Sequence, residues 1–176
     1  MPHVNAYAAY SATEPLKSFK FERREPDAND ILIDILYCGV CHSDVHTVRG
    51  DWGPQNYPLA PGHEIVGRIE KIGKKVKGFK VGDPVGVGCM VNSCQKCKPC
   101  KDGEEQYCVK APTFTYGAPD PKEGGKITQG GYSTKITVDQ KFVLKIPKNI
   151  PLERAAPLLC AGITTYSPLK YWNIKK

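Results

Sequence analysis

Cys94-x2-Cys97-x2-Cys100-x7-Cys108 sets four thiols within one short segment, and that spacing is the strongest chemical signal in the chain. Thiolates are soft ligands, and a tight turn can aim several of them at one tetrahedral ion at about 2.3 Å. The reading is a closed zinc site held by four cysteines. An iron–sulfur cluster, whose C-x2-C-x2-C run is similar, and a redox switch are the rivals; the fourth spacing favours zinc. Such a site is structural, because four thiolates leave no position for a substrate.

Eight cysteines are present, so four remain: Cys38, Cys41, Cys89 and Cys160. Cys38 and Cys41 form a C-x2-C, but no βαβ pattern surrounds them, which argues against thioredoxin-like exchange. Cys38 closes the apolar run 31–37 and Cys89 follows the apolar run 85–88, so both are read as inert core thiols. His63 sits in Pro61-Gly62-His63-Glu64-Ile65-Val66-Gly67, where Gly67 occupies the place of the second histidine of an H-E-x-x-H motif. A lone histidine is more often a satisfied core or surface group than a ligand. Beside the two unassigned cysteines, Cys41 and Cys160, it completes a three-donor set of the kind that leaves a fourth zinc position open.

These residues need elements to position them. Ile31–Tyr37 is short and almost wholly apolar, and reads as a strand buried on both faces. Glu64–Ile72 and Val81–Val87 read as strands joined by a lysine-rich turn. Tyr132, Thr134, Ile136 and Val138 alternate with Ser133, Lys135 and Thr137 as in a half-buried strand, and Lys141–Ile146 is expected to pair beside it. Helical candidates are His42–Arg49 and a segment from Ala161 to about Trp172, with a kink at Pro168. Long loops fill 50–61, 89–108 and 111–131. The fold class expected is mainly β, a barrel with long loops and few short helices.

Composition narrows the function classes. Gly 17 and Pro 15 in 176 residues favour short strands over a helical bundle. The net charge of +7 is concentrated in lysines at 71–80 and 96–101 without interleaved aromatic residues, so neither nucleic acid nor membrane is expected as a partner. The N-terminal residues lack the basic-then-apolar order of an export signal, and the expected setting is cytoplasmic.

Several stretches together resemble zinc-dependent medium-chain alcohol dehydrogenases: 38–46 (CGVCHSDVH), 62–67 (GHEIVG), 81–88 (VGDPVGVG), the four-cysteine loop and 155–169 (AAPLLCAGITTYSPL). Gly-Gly-Tyr-Ser at 130–133 and the Leu-Leu-Cys-Ala-Gly run are similar to the cinnamyl alcohol dehydrogenase-like branch. The resemblance implies a GroES-like barrel over residues 1–159, and at 160–176 the start of a linker helix toward a dinucleotide-binding domain that this sequence does not contain. It implies two zinc ions per chain. Cys41, His63 and Cys160 would hold the catalytic ion, and Cys94, Cys97, Cys100 and Cys108 the structural one. Asp44 and Glu64 are implied as carboxylates behind the ligands, Asp44 orienting His63. Ser43 and His46 match a proton relay, His42 a position near the cofactor pyrophosphate and Thr164 one beside the nicotinamide. Trp52 and Tyr57 would wall an apolar substrate pocket. The reaction implied is hydride transfer between NADP(H) and a primary alcohol or aldehyde, with a homodimer open as the assembly.

The dinucleotide fingerprint itself is missing. Gly86-Val87-Gly88 begins a G-x-G, but Val91 stands at its last position and the chain runs on into the metal loop. The 176 residues alone are therefore expected to be inactive. The alternative function is a non-enzymatic zinc-binding or redox-sensing module, which would have no use for Cys41, His63 and Cys160.

Overall fold

A computed structural model describes residues 1–175. The elements in chain order are β1 (His3–Ala8), β2 (Lys17–Glu22), β3 (Asp30–Gly39), α1 (His42–Arg49), β4 (Glu64–Ile72), β5 (Pro84–Val87), β6 (Met90–Asn92), α2 (Lys98–Lys101), β7 (Thr113–Phe114), β8 (Pro119–Asp120), β9 (Lys126–Ile127), β10 (Lys135–Asp139), β11 (Leu144–Lys145), α3 (Leu152–Ala155) and α4 (Ala161–Tyr171). The protein is thus mainly β with few short helices, as its glycine and proline content requires. Among the described residues no helix is long and apolar enough to cross a membrane.

The central sheet is antiparallel, in the order β10-β3-β4-β5-β11. Its inward face packs Ile31, Ile33, Ile65, Ile69, Val85, Val87, Ile136 and Val138 into one cluster. Each fully buried aliphatic side chain contributes about 1.5–3 kcal/mol relative to exposure. On the other face of β4, Val66 meets Ile146, Ala155, Ala156 and Leu159. That second cluster fixes the 3-10 turn 156–159, which delivers Cys160. Close approach of strands is built in at Gly67, where a Cβ would overlap the backbone of Asp34 on β3.

Four expectations need correction. Strand β3 is buried on both faces only over its first residues, and Leu36 and Tyr37 are exposed; β4 pairs along almost the whole strand, but β10 flanks only residues 30–34. Alternation fails in β10, where Ile136, Thr137, Val138 and Asp139 are all buried; Thr137 tolerates burial by donating its hydroxyl to the Arg24 carbonyl, 3.1 Å. Segment 141–146 does not lie beside β10. Its strand β11 crosses to the opposite edge and pairs with β5. Strand 81–87 shortens to β5, since the residues before Pro84 form a turn. The β1–β2 hairpin, with β1 in strict exposed–buried alternation, was not anticipated. The last residue of the expected linker segment, Lys176, lies outside the described residues.

One ionic cluster ties the 119–123 turn to the sheet. Asp30, fully buried at the start of β3, is paired with Arg24 and with Lys122 Nζ at 2.6 Å, and Lys122 also approaches Asp139 at 3.6 Å. Burial alone would raise the Asp30 pKa, but hydrogen bonds from Arg24 and Lys122 outweigh it and hold the carboxyl below its ordinary value. A depressed folded-state pKa means the pairing stabilises the fold above about pH 4, the unfolded value, and that this contribution fades as pH falls through the lower folded value. Asp30→Asn is expected to cost roughly 2 kcal/mol at neutral pH, because the half-buried Arg24 and Lys122 lose their nearest carboxylate and keep only the more distant Asp120 and Asp139. It should also flatten the acid limb of stability against pH, measured by urea unfolding between pH 2 and pH 7. An unchanged acid limb would remove this account.

Candidate metal centres and cleft

Helix α1 begins with a cap built from site residues. Cys41 is the N-cap, its backbone N–H donates to Asp44 Oδ2 at 3.0 Å, and Gly50 ends the helix in the left-handed conformation, φ 72°. The cap places Asp44 in the first turn, buried, with its carboxylate facing the chain that enters β4. Gly62, at φ 104°, turns that chain sharply, and a Cβ there would meet the Tyr132 ring at 2.6 Å and Cys38 Sγ at 2.8 Å. His63 follows and is buried. Its Nδ1–H donates to Asp44 Oδ1, 3.0 Å away, and the same oxygen accepts the Gly62 N–H at 3.0 Å. An ionised carboxylate only accepts, so this contact fixes the proton on Nδ1 and leaves Nε2 as the free lone pair.

Nε2 is the one buried side-chain nitrogen or oxygen without a partner among the described residues. It points to where Cys41 and Cys160 converge: the three ligand atoms lie within 4.8 Å of one another, with Cys41 and Cys160 Sγ 3.8 Å apart. Two thiols and an imidazole nitrogen with an aligned lone pair fit a zinc ion, and the orphaned nitrogen is the observation that says so. In the metal-free chain burial would raise the Cys41 pKa, but hydrogen bonding from Ser43, and after it from Cys160, brings it down. Burial, reinforced by the neighbouring Cys89, pushes the Cys160 thiol up to about 12. Behind the cysteine, Glu64 is buried at the start of β4 and accepts the Ala161 N–H at 3.3 Å, tethering the peptide that follows Cys160.

The second group, Cys94, Cys97, Cys100 and Cys108, likewise has its ligand atoms within 4.8 Å of one another. Backbone N–H groups point at its sulfurs, from Cys94 to Cys108 and from Cys97 to Cys94, each 3.5 Å. Amides of Lys96 and Cys97 lower the Cys94 thiol to about 6. The Ser93 hydroxyl would lower Cys100 as well, yet burial and the adjacent thiols of Cys97 and Cys108 leave it at about 11. All four donors are supplied by one loop and its short helix α2, so the group could enclose an ion without help from the rest of the chain.

A cleft of about 360 Å³ opens on the three-donor group, lined by Ser43, Trp52, His63, Cys89, Tyr116 and Cys160 among others. The structure therefore brings Ser43 and Trp52 to one cavity. His46 lies one turn beyond Ser43 on α1, its Nδ1 2.7 Å from Asp51 Oδ2 and its ring against His42 and Trp52, at 4.5 and 5.1 Å between centroids. His42 and Thr164 are both exposed, at the starts of α1 and α4. Tyr57 is not in the cleft wall; its hydroxyl donates to the Val48 carbonyl at 2.6 Å and packs the loop onto α1. Sequence reasoning missed Tyr116, which stands over His63 at 5.7 Å between ring centroids, and Asp51. Nothing in residue type or spacing singles out Tyr116, whereas Asp51, five residues beyond a histidine in a helix-ending turn, was available as a signal.

Cys89 is a correction. It was expected in the core, but the strand that precedes it ends at Val87 and the thiol is exposed on the cleft wall. Cys38 fits its expectation: burial pushes its thiol up to about 12. Burial raises the Cys89 thiol too, but Cys89 is the more exposed of the two, and iodoacetamide at mildly alkaline pH should label it faster than Cys38, since the thiolate is the nucleophile and must be reached. Peptide mapping that finds the two labelled at equal rates would show that Cys38 is not held as described.

Residues 27–148 match the family model described as the alcohol dehydrogenase GroES-like domain. The chain is 53% identical over 173 residues to the NADP-dependent alcohol dehydrogenase C of Mycobacterium tuberculosis, covering 98% of this chain and 49% of that protein. Among solved structures it is similar to CAD from Helicobacter pylori complexed with NADP(H), with TM-score 0.95 and 50% identity over 99% of this chain and 50% of the other. A cinnamyl alcohol dehydrogenase of Sorghum bicolor gives TM-score 0.95 and 40% identity, over 99% of this chain and 49% of the other. The chain thus spans about half the length of the relatives it matches.

Proposed function

The chain belongs to the alcohol dehydrogenase GroES-like domain family, in its zinc-type, cinnamyl alcohol dehydrogenase-like branch, and from that membership we propose that it is the catalytic portion of an NADP(H)-using alcohol dehydrogenase or aldehyde reductase. Residues 1–159 would form the zinc-binding catalytic domain, the open sheet and its hairpins making up the GroES-like barrel, and 160–176 would start the helix toward a dinucleotide-binding portion. The observation that carries the reading is the buried, unpartnered His63 Nε2 between two thiols at the floor of an aromatic-walled cleft. A solely structural zinc module has no use for such an opening.

Cys41, His63 and Cys160 would hold the catalytic zinc, and the four-cysteine loop a second, structural one. The catalytic ion, when bound, supplies Lewis acidity toward the substrate oxygen. The rest falls to the chain. Asp44 keeps the His63 tautomer that presents Nε2. Ser43, on the cleft wall, is placed to exchange the proton of the substrate hydroxyl. His46, held by Asp51 at the more exposed end of the helix face, would carry that proton to solvent. Trp52 and Tyr116 offer flat apolar walls for a primary alcohol or aldehyde and limit water in the cleft. His42 and Thr164 would contact the cofactor. No strand–GxGxxG–helix unit exists among the described residues, so these residues alone would not turn over NADPH. A cytoplasmic setting belongs to the same proposal, since six of the eight cysteines are assigned to zinc rather than to disulfides.

Metal analysis of the purified chain should approach two zinc equivalents, falling to about one in Cys160→Ser while the four-cysteine ion stays. A value of one that Cys160→Ser leaves unchanged would sink the dehydrogenase reading. In a chain that carries the dinucleotide-binding portion, Ser43→Ala should lower kcat by about 10²-fold at neutral pH, the usual contribution of general acid–base transfer, with zinc content constant. Undiminished turnover there would place the proton elsewhere.

A further inference from the structure

The Asp44 carboxylate has a fourth donor that the ligand loops do not supply. Oδ1 takes Gly62 N–H and His63 Nδ1–H; Oδ2 takes Cys41 N–H at 3.0 Å and, at 3.3 Å, the hydroxyl of Tyr132. A carboxylate has about four lone-pair sites, so the tyrosine completes the set. Tyr132 comes from the segment entering β10, remote in sequence from both Cys41 and His63.

That segment is itself fixed. Gly130 N–H donates to Ala60 O at 2.7 Å, Gly131 N–H to Gly62 O at 2.8 Å and Tyr132 N–H to Pro61 O at 2.9 Å, while Tyr132 O accepts Tyr7 N–H at 2.9 Å. Glycines are needed here because a Cβ at Gly130 would overlap the Pro61 backbone and one at Gly131 the Ile65 side chain. The Tyr132 ring lies against Gly62, so its hydroxyl reaches Asp44 from the side of the peptide that carries His63. Burial and the Asp44 charge raise the phenol pKa, keeping the hydroxyl a donor throughout the working range.

We propose that Tyr132 is a positioning residue of the three-donor metal site: its hydroxyl anchors Asp44 Oδ2, so that Oδ1 stays on His63 and Nε2 stays aimed between Cys41 and Cys160. Without the hydroxyl, Oδ2 keeps only the Cys41 N–H, and the carboxylate loses one of the four contacts that fix its rotation and with it the His63 ring. This rests on the proposed metal role of Cys41, His63 and Cys160. A tyrosine that only filled space beside Gly62 would be replaced without loss by phenylalanine.

The test is Co²⁺ titration of the chain, following the visible d–d bands, with the signal of the three-donor site identified as the one lost in Cys160→Ser. Tyr132→Phe should bind Co²⁺ at that site about tenfold more weakly, as removal of an outer hydrogen bond to a ligand typically does, and with altered band positions. The thermal midpoint and the four-cysteine signal should match the wild type. Tyr37→Phe, a change at an exposed tyrosine, should leave all of these unmoved. Equal affinity and an identical spectrum in Tyr132→Phe would overturn the inference alone. Absence of the three-donor signal from the wild type would overturn the metal reading and this inference with it. If Tyr132→Phe lowers the thermal midpoint, the titration is repeated well below that midpoint, where the same tenfold weakening must remain, and wild-type affinity there would overturn the proposal.

Discussion

One buried nitrogen organises this structure. An imidazole nitrogen removed from water and left without a partner costs on the order of 1–3 kcal/mol, and nearly all such groups in folded proteins are satisfied. His63 Nε2 is not. The surroundings do not relax toward it: Gly62 forces the turn, the Asp44 carboxylate locks the ring from behind, and the nearest candidates in front are the thiols of Cys41 and Cys160. An arrangement that keeps a lone pair exposed inside a protein is offset only by something that binds there, and two thiols beside an imidazole select a soft, tetrahedral cation.

Much of the fold can be traced to holding these donors. Cys41 comes from the end of β3, His63 from the entry to β4 and Cys160 from a turn packed under β4 by Leu159. Strand β4 is therefore common to all three, paired along β3 on one side and β5 on the other, with Val66 seating the Cys160 turn on its outer face. Glycine at 67 lets β3 and β4 approach closely, and Gly86 leaves room for Leu159. Errors in strand register would reach the metal site directly, since a one-residue slip exchanges the two faces of β4.

The chemistry was more legible in the sequence than the architecture. Helix α1 and strand β4 have the bounds expected from the sequence, because Gly50, where the helix stops, and the apolar run after Gly62 are local signals. What the sequence concealed was non-local. Thr137 is buried because a carbonyl from residue 24 awaits its hydroxyl, and β11 leaves its sequence neighbour for the far edge of the sheet. Cys89 follows an apolar run yet faces a cleft, because the strand ends two residues before it. The resemblance placed Cys41, His63 and Cys160 in one ligand set; periodicity alone would have left them far apart in an undetermined chain.

The two cysteine groups differ in what they demand of the rest of the protein. Cys94, Cys97, Cys100 and Cys108 are contributed by one loop, whose own amides already favour thiolates. Such a site can take its ion with only that loop ordered, and ion binding then supplies folding free energy locally. The other group joins residues 41, 63 and 160, so its geometry exists only when β3, β4 and the 156–159 turn are assembled. Closing those long chain segments costs entropy before any ligand contact is made. Affinity at the open site is therefore linked to the stability of the whole sheet. The four-cysteine group depends on one loop, and the Cys41–His63–Cys160 group on the folded domain.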